Sequence, residues 1–337
     1  MELINRTPFQ SSIFVDVDHR GSQTLVLVIK ATYDLAGDAP PVRSAQQRSL
    51  TFADMFNGEP GASSLLYEAD SNWGREGTDV AFVGYAYPMR ERDREVQAML
   101  RVGPLVKSAH VFGDRRWTNR LGLPQLSGPD PFDRVPLVYE RAFGGCDDTV
   151  PREDASRAEV RNPVGRGWRA RRSSKTANEI TPPNIENPRQ LIRSIDDRPA
   201  PAGFGFVAKA WQPRCSFAGT YNDAWQSDRM PLLPADFDRR FYRASSEGLF
   251  AQPCLSGGEE VEMVGLSSAR WQRFALPRVG FHATFGIDAE VTLIEMNLDS
   301  LLIDGAHSKL VLAWHGNASI DQRLDEIEWV LADLEPH

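Results

Sequence analysis

Two short stretches and the six histidines carry the side chains most able to do chemistry in this 337-residue chain. Asp16-x-Asp18-His19 brings two carboxylates and an imidazole together, a set that can hold a divalent cation or move a proton. The same residues also suit the start of a hairpin turn leading into Gly21. Asp236-Phe237-Asp238 puts two carboxylates on one side of an extended chain, as paired acids require. A solvated loop after Pro234 is the blander explanation of that pair. His19, His110, His282, His307, His315 and His337 stand at no metal-ligand spacing from one another. Cys146, Cys215 and Cys254 are odd in number, widely spaced and without a C-x-x-C, so neither a disulfide framework nor a zinc site is indicated. Buried thiols are expected instead.

The chain has no phosphate-binding glycine loop ending in Lys-Ser/Thr, no dinucleotide fingerprint, no H-E-x-x-H and no G-x-S-x-G. A Ser-His-Asp site assembled through space stays open, because triads are defined by geometry and not by sequence order. These residues lead us to expect no catalytic constellation, no metal and no cofactor.

A different kind of residue recurs. Arg115 and Trp117, Tyr139 and Arg141, Trp211 and Arg214, and Tyr221 and Trp225 all sit in short words of aromatic, arginine, acid and glycine. Trp, Tyr and Arg dominate protein interfaces, because each joins large contact area to directional polar groups. These eight are the candidate partner-binding residues. The same side chains also stack on one another to lock loops, and that reading stands beside the first.

The elements that must position them read as mainly β. Apolar runs at 13–17 and 24–33, separated by a turn-like stretch at 18–22, predict an antiparallel hairpin. Strands are also expected at 79–87, 95–102, 107–112, 259–265, 271–276, 290–297 and 309–314, with Asp304-Gly305 turning between the last two. Residues 50–56 are ambiguous; 321–334 fits a helix or a strand, and the strand is preferred. From 115 to 246 short apolar words are separated by Gly and Pro, and no amphipathic helix of ordinary length fits. Trp117, Trp168, Trp211 and Trp225 suggest that this section is pinned, with 166–181 as its mobile loop. Val83-Gly84 and Val264-Gly265 hint at two similar β units. We therefore expect one unit over 1–337, all-β or β-rich α+β, with antiparallel, sandwich-like sheets and a long irregular Gly/Pro-rich central section. Possible sub-lobes are 1–145, 146–250 and 251–337.

Bulk properties narrow the function class. The formal charge is -8, a poor match for phosphate backbones, so no direct nucleic-acid binding is expected. No apolar run approaches the length of a membrane span. The first six residues lack the basic and apolar regions of a signal peptide. The expectation is a cytoplasmic protein without membrane contact.

Several ordered words carry a family resemblance: Gly77-Thr78-Asp79-Val80, Val111-Phe112-Gly113-Asp114-Arg115 with Trp117, and Tyr139-Glu140-Arg141-Ala142-Phe143-Gly144-Gly145. They continue in Asn162-Pro163-x-Gly165-x-Gly167, Pro183-Asn184-Ile185-Glu186, Pro201-Ala202-Gly203-Phe204-Gly205, Trp211-x-Pro213-Arg214, Gly219-Thr220-Tyr221 and Asp236-Phe237-Asp238. In these words the chain closely resembles the DUF2169 family, from near residue 5 to about residue 315. Asn222 and Phe206 depart from the family pattern, and the section after Arg243 follows it loosely. The resemblance implies a type VI secretion adaptor or chaperone that binds an effector toxin and loads it onto the VgrG/PAAR spike. It brings no catalytic residues. A hydrolase using Asp236, Asp238 or a histidine, or a structural part of the secretion tip, are the alternatives. An acidic loader would be steered electrostatically toward a basic toxin.

Overall fold

The computed structural model describes residues 1–17, 21–288, 290–320 and 323–335. Its main strands are, in chain order, β1 (Glu2–Asn5), β2 (Gln10–Val17), β3 (Gln23–Asp34), β4 (Thr78–Val83) and β5 (Glu95–Val102). After them come β6 (Leu105–Phe112), β7 (Ile185–Glu186), β8 (Phe250–Ala251), β9 (Glu260–Val264) and β10 (Trp271–Ala275). The chain ends with β11 (Phe281–Ile287), β12 (Glu290–Ile294), β13 (Met296–Asp304), β14 (Lys309–Ser319) and β15 (Ile327–Leu334).

These strands form three sheets, beside four two-stranded pairings among the described residues. The largest has seven strands in the order β8-β4-β13-β14-β3-β2, with a short strand at Val42–Arg43 added to β3. The second runs β7-β6-β5-β9-β10 and the third β1-β15-β11-β12. Within these three sheets pairing is antiparallel except where β4 lies parallel to β13 and β1 parallel to β15. Mainly β with antiparallel sheets is thus what the chain adopts. The large sheet draws on both ends of the sequence, so residues 1–145 and 251–337 share one sheet.

Strand parity decides what each face of the large sheet carries. Register places Leu27, Ile29, Leu301, Ile303, Leu312 and Trp314 on one face. That face is dry: Trp314 meets Phe281 of β11 edge-on at 5.0 Å, and Phe281 meets Phe9 at 6.2 Å. The opposite face carries Lys30, Asp79, Ser300, Ala313 and His315. Residues 44–76 cross it as a strap, held by Phe52 against Phe14 and by the Trp73 indole N–H, which donates to Asp16 Oδ2 at 2.6 Å.

The hairpin of β2 and β3 forms as the pattern predicts, although residues 18–20 of its turn lie outside the described residues. β5 matches 95–102, and β6 begins two residues earlier than expected. Gly84, at φ 151°, ends β4, so 79–87 is a six-residue strand and a two-residue one. Residues 50–56 are mostly irregular, with Met55-Phe56 pairing to Tyr67 and Leu65. Residues 327–334 are a strand, with Ile327, Val330 and Ala332 turned inward. β1 and β11 were not legible. The stretch 290–297 is two strands, and β13 continues to Asp304 because a bulge between Leu298 and Ser300 breaks its alternation. Val83-Gly84 and Val264-Gly265 end strands in different sheets and adjoin, the Tyr87 N–H donating to the Gly265 carbonyl at 2.8 Å. The central section holds one α-helix, Asp223–Asp228, capped by Asn222. The stretch expected to be a mobile loop, 166–181, is tied down. Trp168 donates to the Ser156 carbonyl at 2.9 Å, Ala170 N–H donates to Asp147 at 3.1 Å, and Ile180 is buried beside Trp117 and Phe143.

Candidate functional site

The eight aromatic and arginine residues divide by burial. Arg115, Trp117, Tyr139, Trp211 and Arg214 are buried. Trp117 packs with Phe143, Ile180 and Ile192. Tyr139 stands edge-on to Trp211 at 5.5 Å. Arg115 lies over the Phe112 ring and pairs with Glu186. Arg214 donates to the carbonyls of Val207 and Phe241 and to Glu68 at 2.8 Å. Arg141 is half-buried, donating to Asn184 Oδ1 at 3.1 Å, and so is Trp225, whose indole N–H donates to the Leu232 carbonyl. Tyr221 alone of the eight is exposed, with its ring centroid 4.7 Å from that of Trp225. The set does not converge on one surface.

What does converge is a cluster of charges beneath the strap. Arg75 bridges Glu68, Asp79 and Asp299; Arg214 meets Glu68; Lys30 meets Asp70 at 2.8 Å. Asp299 is the extra residue of the β13 bulge, and the bulge swings its carboxylate onto this face. His315 completes the set. Its Nδ1 lies 2.8 Å from Asp299 Oδ1 and its Nε2 lies 2.6 Å from the Asp70 carbonyl. Both partners are acceptors, so both ring nitrogens must carry protons and the ring is an imidazolium. Burial by itself pushes the ring's pKa down, but the Asp299 charge and these hydrogen bonds outweigh it and hold it above its usual value. Four carboxylates (Glu68, Asp70, Asp79, Asp299) then face four cations (Lys30, Arg75, Arg214, His315).

A cavity of about 370 Å³ lies against this cluster, with Phe206, Leu302 and Ala313 as part of its apolar wall. At its edge Asp304 accepts from Tyr67 at 2.6 Å, from Arg48 and from His307. Burial would raise the Asp304 carboxyl, but those donors hold it below the usual range. The charges around the cavity are matched to one another.

The acids singled out in the sequence are also engaged locally. Asp236 accepts from the Thr220 N–H and hydroxyl at 2.9 and 2.7 Å. Asp238 caps the turn at 239–242 and pairs with Arg240. Asp16 accepts from Trp73, while Asp18 and His19 lie outside the described residues. Among the described residues no three His, Cys, Asp or Glu side chains gather as metal ligands. The thiols are less buried than expected. Cys146 is exposed, in a β-bridge to Ala158, and Cys215 and Cys254 are half-buried.

A second concavity behaves differently. It is an open groove of about 680 Å³ between β6 and the central section, lined among others by Val106, Lys107, Ser108, Arg189, Pro201 and Gln212. Lys107 stands opposite Leu100, on the inward face of β6 with Leu105, Ala109 and Val111. Its ammonium donates to Ser246 Oγ at 3.0 Å and to the Glu247 carbonyl at 2.6 Å, both neutral acceptors. Among the described residues no carboxylate oxygen lies within 4.0 Å of it. Burial pushes the Lys107 ammonium down to about 8, against a weaker opposing pull from Glu247. The sequence held a signal for this residue: a lysine in the inward register Leu105-x-Lys107-x-Ala109-x-Val111.

The family model described as an uncharacterized protein conserved in bacteria, DUF2169, matches residues 20–315. The chain belongs to the DUF2169 family. No curated protein and no solved structure matches it.

The words that carry the DUF2169 resemblance meet in space. Phe143-Gly144 pairs in parallel with Arg166-Gly167, and the Asn162 side chain, fully buried, donates to the carbonyls of Tyr139 and Phe143. At Gly144 (φ 151°) a Cβ would sit 2.2 Å from the Asn162 carbonyl oxygen, so only glycine fits. Asn184 bridges the Phe112 carbonyl and Asp114, and accepts from Arg141 and Arg166. Asp79 accepts from the N–H groups of Ala244 and Ser245 and from the Ser245 hydroxyl. Most of these DUF2169 words are therefore joints between the central section and the sheets. Tyr139, Pro201, Ala202 and Pro213, from three of these words, line the groove itself.

Proposed function

We propose that this DUF2169 protein is a cytoplasmic carrier that binds a type VI secretion effector and delivers it to the VgrG/PAAR spike. The observation that carries this reading is the open groove beside β6. It is a broad cleft with an edge strand, proline and amide side chains and, among the described residues, two cations without an acid partner, Lys107 and Arg189, suited to another polypeptide. The cavity under the strap has its charged side chains paired with one another instead.

A carrier must hold its cargo through assembly and then release it. That favours a contact of moderate area, with main-chain pairing and few charge pairs. Membership of the DUF2169 family supports the reading, since the resemblance from which the role was inferred spans residues 20–315.

The test is recovery of partners on the tagged full-length protein from its native bacterium, with secretion genes expressed. Co-purification of a toxin linked to a VgrG or PAAR protein, and loss of that toxin's secretion on deletion of the carrier, are the expected results. Return of the bare protein at low salt, with secretion unchanged by deletion, would overturn the proposal. Retention of the chain on the assembled spike would make it a structural part instead.

A further inference from the structure

The second sheet leaves part of one edge open. β7 is only two residues long and pairs with His110 and Val111 of β6, after which the chain turns away through Asn187 and Pro188. The Phe112 N–H donates outward to the Asn184 carbonyl at 2.8 Å. Because strand geometry alternates, the N–H groups of His110, Ser108 and Val106 point to that same side. His110 meets β7. Nothing among the described residues pairs with Val106 or Ser108 from that side. The free stretch, 105–109, runs along the groove and is about 16 Å long at the usual rise per residue.

We propose that this open half of β6 is a docking edge, where an extended segment of a partner protein adds as a strand and sets a carboxylate against Lys107. The inference rests on the carrier reading only for the partner's identity.

Three observations select that occupant. An unpaired edge asks for main-chain donors and acceptors, which an extended polypeptide supplies and a compact ligand does not. Val106, 54% exposed, offers an apolar contact for alternate side chains. Charge supplies the third. The ionisable lining is Lys107, Arg161, Arg189 and Glu247; Arg161 is already held by Glu159 at 2.7 Å, and Arg189 has no carboxylate within 4.0 Å among the described residues. The groove is thus locally positive in a chain of net charge -8. Two of the three Lys107 ammonium protons are used on Ser246 and Glu247, which leaves one for an incoming oxygen. A carboxylate there gives the half-buried cation the partner it lacks.

An inward-pointing lysine can also guard an edge against pairing with a second copy. The test separates the two roles. A displayed library of random decapeptides is selected on the full-length protein, and the enriched peptides are measured against wild type and variants. The expected result is an excess of Asp and Glu over the input library. Binding of those peptides should weaken at least tenfold in Lys107→Met and hold in Lys107→Arg.

Val106→Pro removes an outward N–H that bonds nothing in the fold, so it should weaken every selected peptide tenfold while the thermal melt holds. Should that variant fail to fold, N-methylation of alternate residues in the best peptide asks the same question from the other side. Failure to select any peptide, peptides without acidic excess, or equal binding to wild type and Lys107→Met would each overturn the proposal. So would a dimer formed on Lys107→Met, which would identify Lys107 as a guard. Selection of acidic peptides with an empty pull-down sinks the secretion role and leaves the edge standing; the reverse sinks only the edge.

Discussion

Beneath the strap, and again beside β6, charged side chains sit where water reaches them poorly, yet the two places are built on opposite plans. Under the strap each charge has a partner: Arg75 alone bridges three carboxylates, and His315 is protonated between Asp299 and the Asp70 carbonyl. Beside β6, Lys107 faces only a hydroxyl and a carbonyl. Matched buried charges join parts of a fold, because removing one partner strands another in a medium of low dielectric. An unmatched charge at the edge of a groove costs the fold something and is explained by what it meets there. The first region is structural; the second is where we place the function.

Substitutions can break that contrast, and Arg75→Met should do most damage. It leaves Glu68, Asp79 and Asp299 without their shared cation, so urea unfolding should show a loss of about 3–5 kcal/mol. A loss under about 1 kcal/mol would mean that the cluster is not what joins the strap to the sheet.

His315→Gln should cost less, about 1.5–3 kcal/mol below pH 6.5, the usual scale for hydrogen bonds to a charged group. The sign with pH follows from the raised pKa of His315. A folded-state value above the unfolded one stabilises fully below the unfolded value, near 6.5, and that stabilisation is lost as pH rises through the folded value. Thermal melts of the wild type should therefore fall as pH climbs from 6.5, and those of His315→Gln should follow a flatter curve. Wild-type melts that rise relative to those of the variant as pH climbs would show that the ring is neutral in the fold.

Lys107→Met should behave in the opposite way to Arg75→Met. Its ammonium, pushed down to about 8 by burial, is disfavoured in the fold, so its removal should leave stability within about 1 kcal/mol or raise it. A loss comparable to that of Arg75→Met would place Lys107 with the structural charges. Tyr221→Ala, at the exposed member of the eight candidates, should change stability by no more than about 0.5 kcal/mol. If it weakened cargo recovery in the pull-down, the contact surface would extend from the groove to that helix.

Strand content was legible wherever alternation was regular. β5, with Val96, Ala98, Leu100 and Val102 inward, reads directly from the sequence, and so does the β2–β3 hairpin. β13 did not, because its bulge at Asp299 shifts the period by one; β11 hid its inward Phe281, Ala283 and Phe285 among glycines. The recurring tryptophans and arginines were legible as a class, but not their direction. Five of the eight turned inward, since a loop section with a single six-residue α-helix relies on large aromatics and forked guanidinium groups to satisfy and fill its interior.

By itself, the sequence determined the β class, the family and the locking role open to the Trp and Arg words. Each of these rests on local chemistry: side-chain period, residue size and backbone freedom. Only the tertiary structure decided which charges find partners. Glu68 and Arg214, 146 residues apart, meet because the central section folds back over the sheet, whereas Lys107 reaches the same section and donates to a hydroxyl and a carbonyl. A carboxylate looks the same in sequence whether it faces an arginine or water, and the difference lies in distance and dielectric, which strand register and strap placement set.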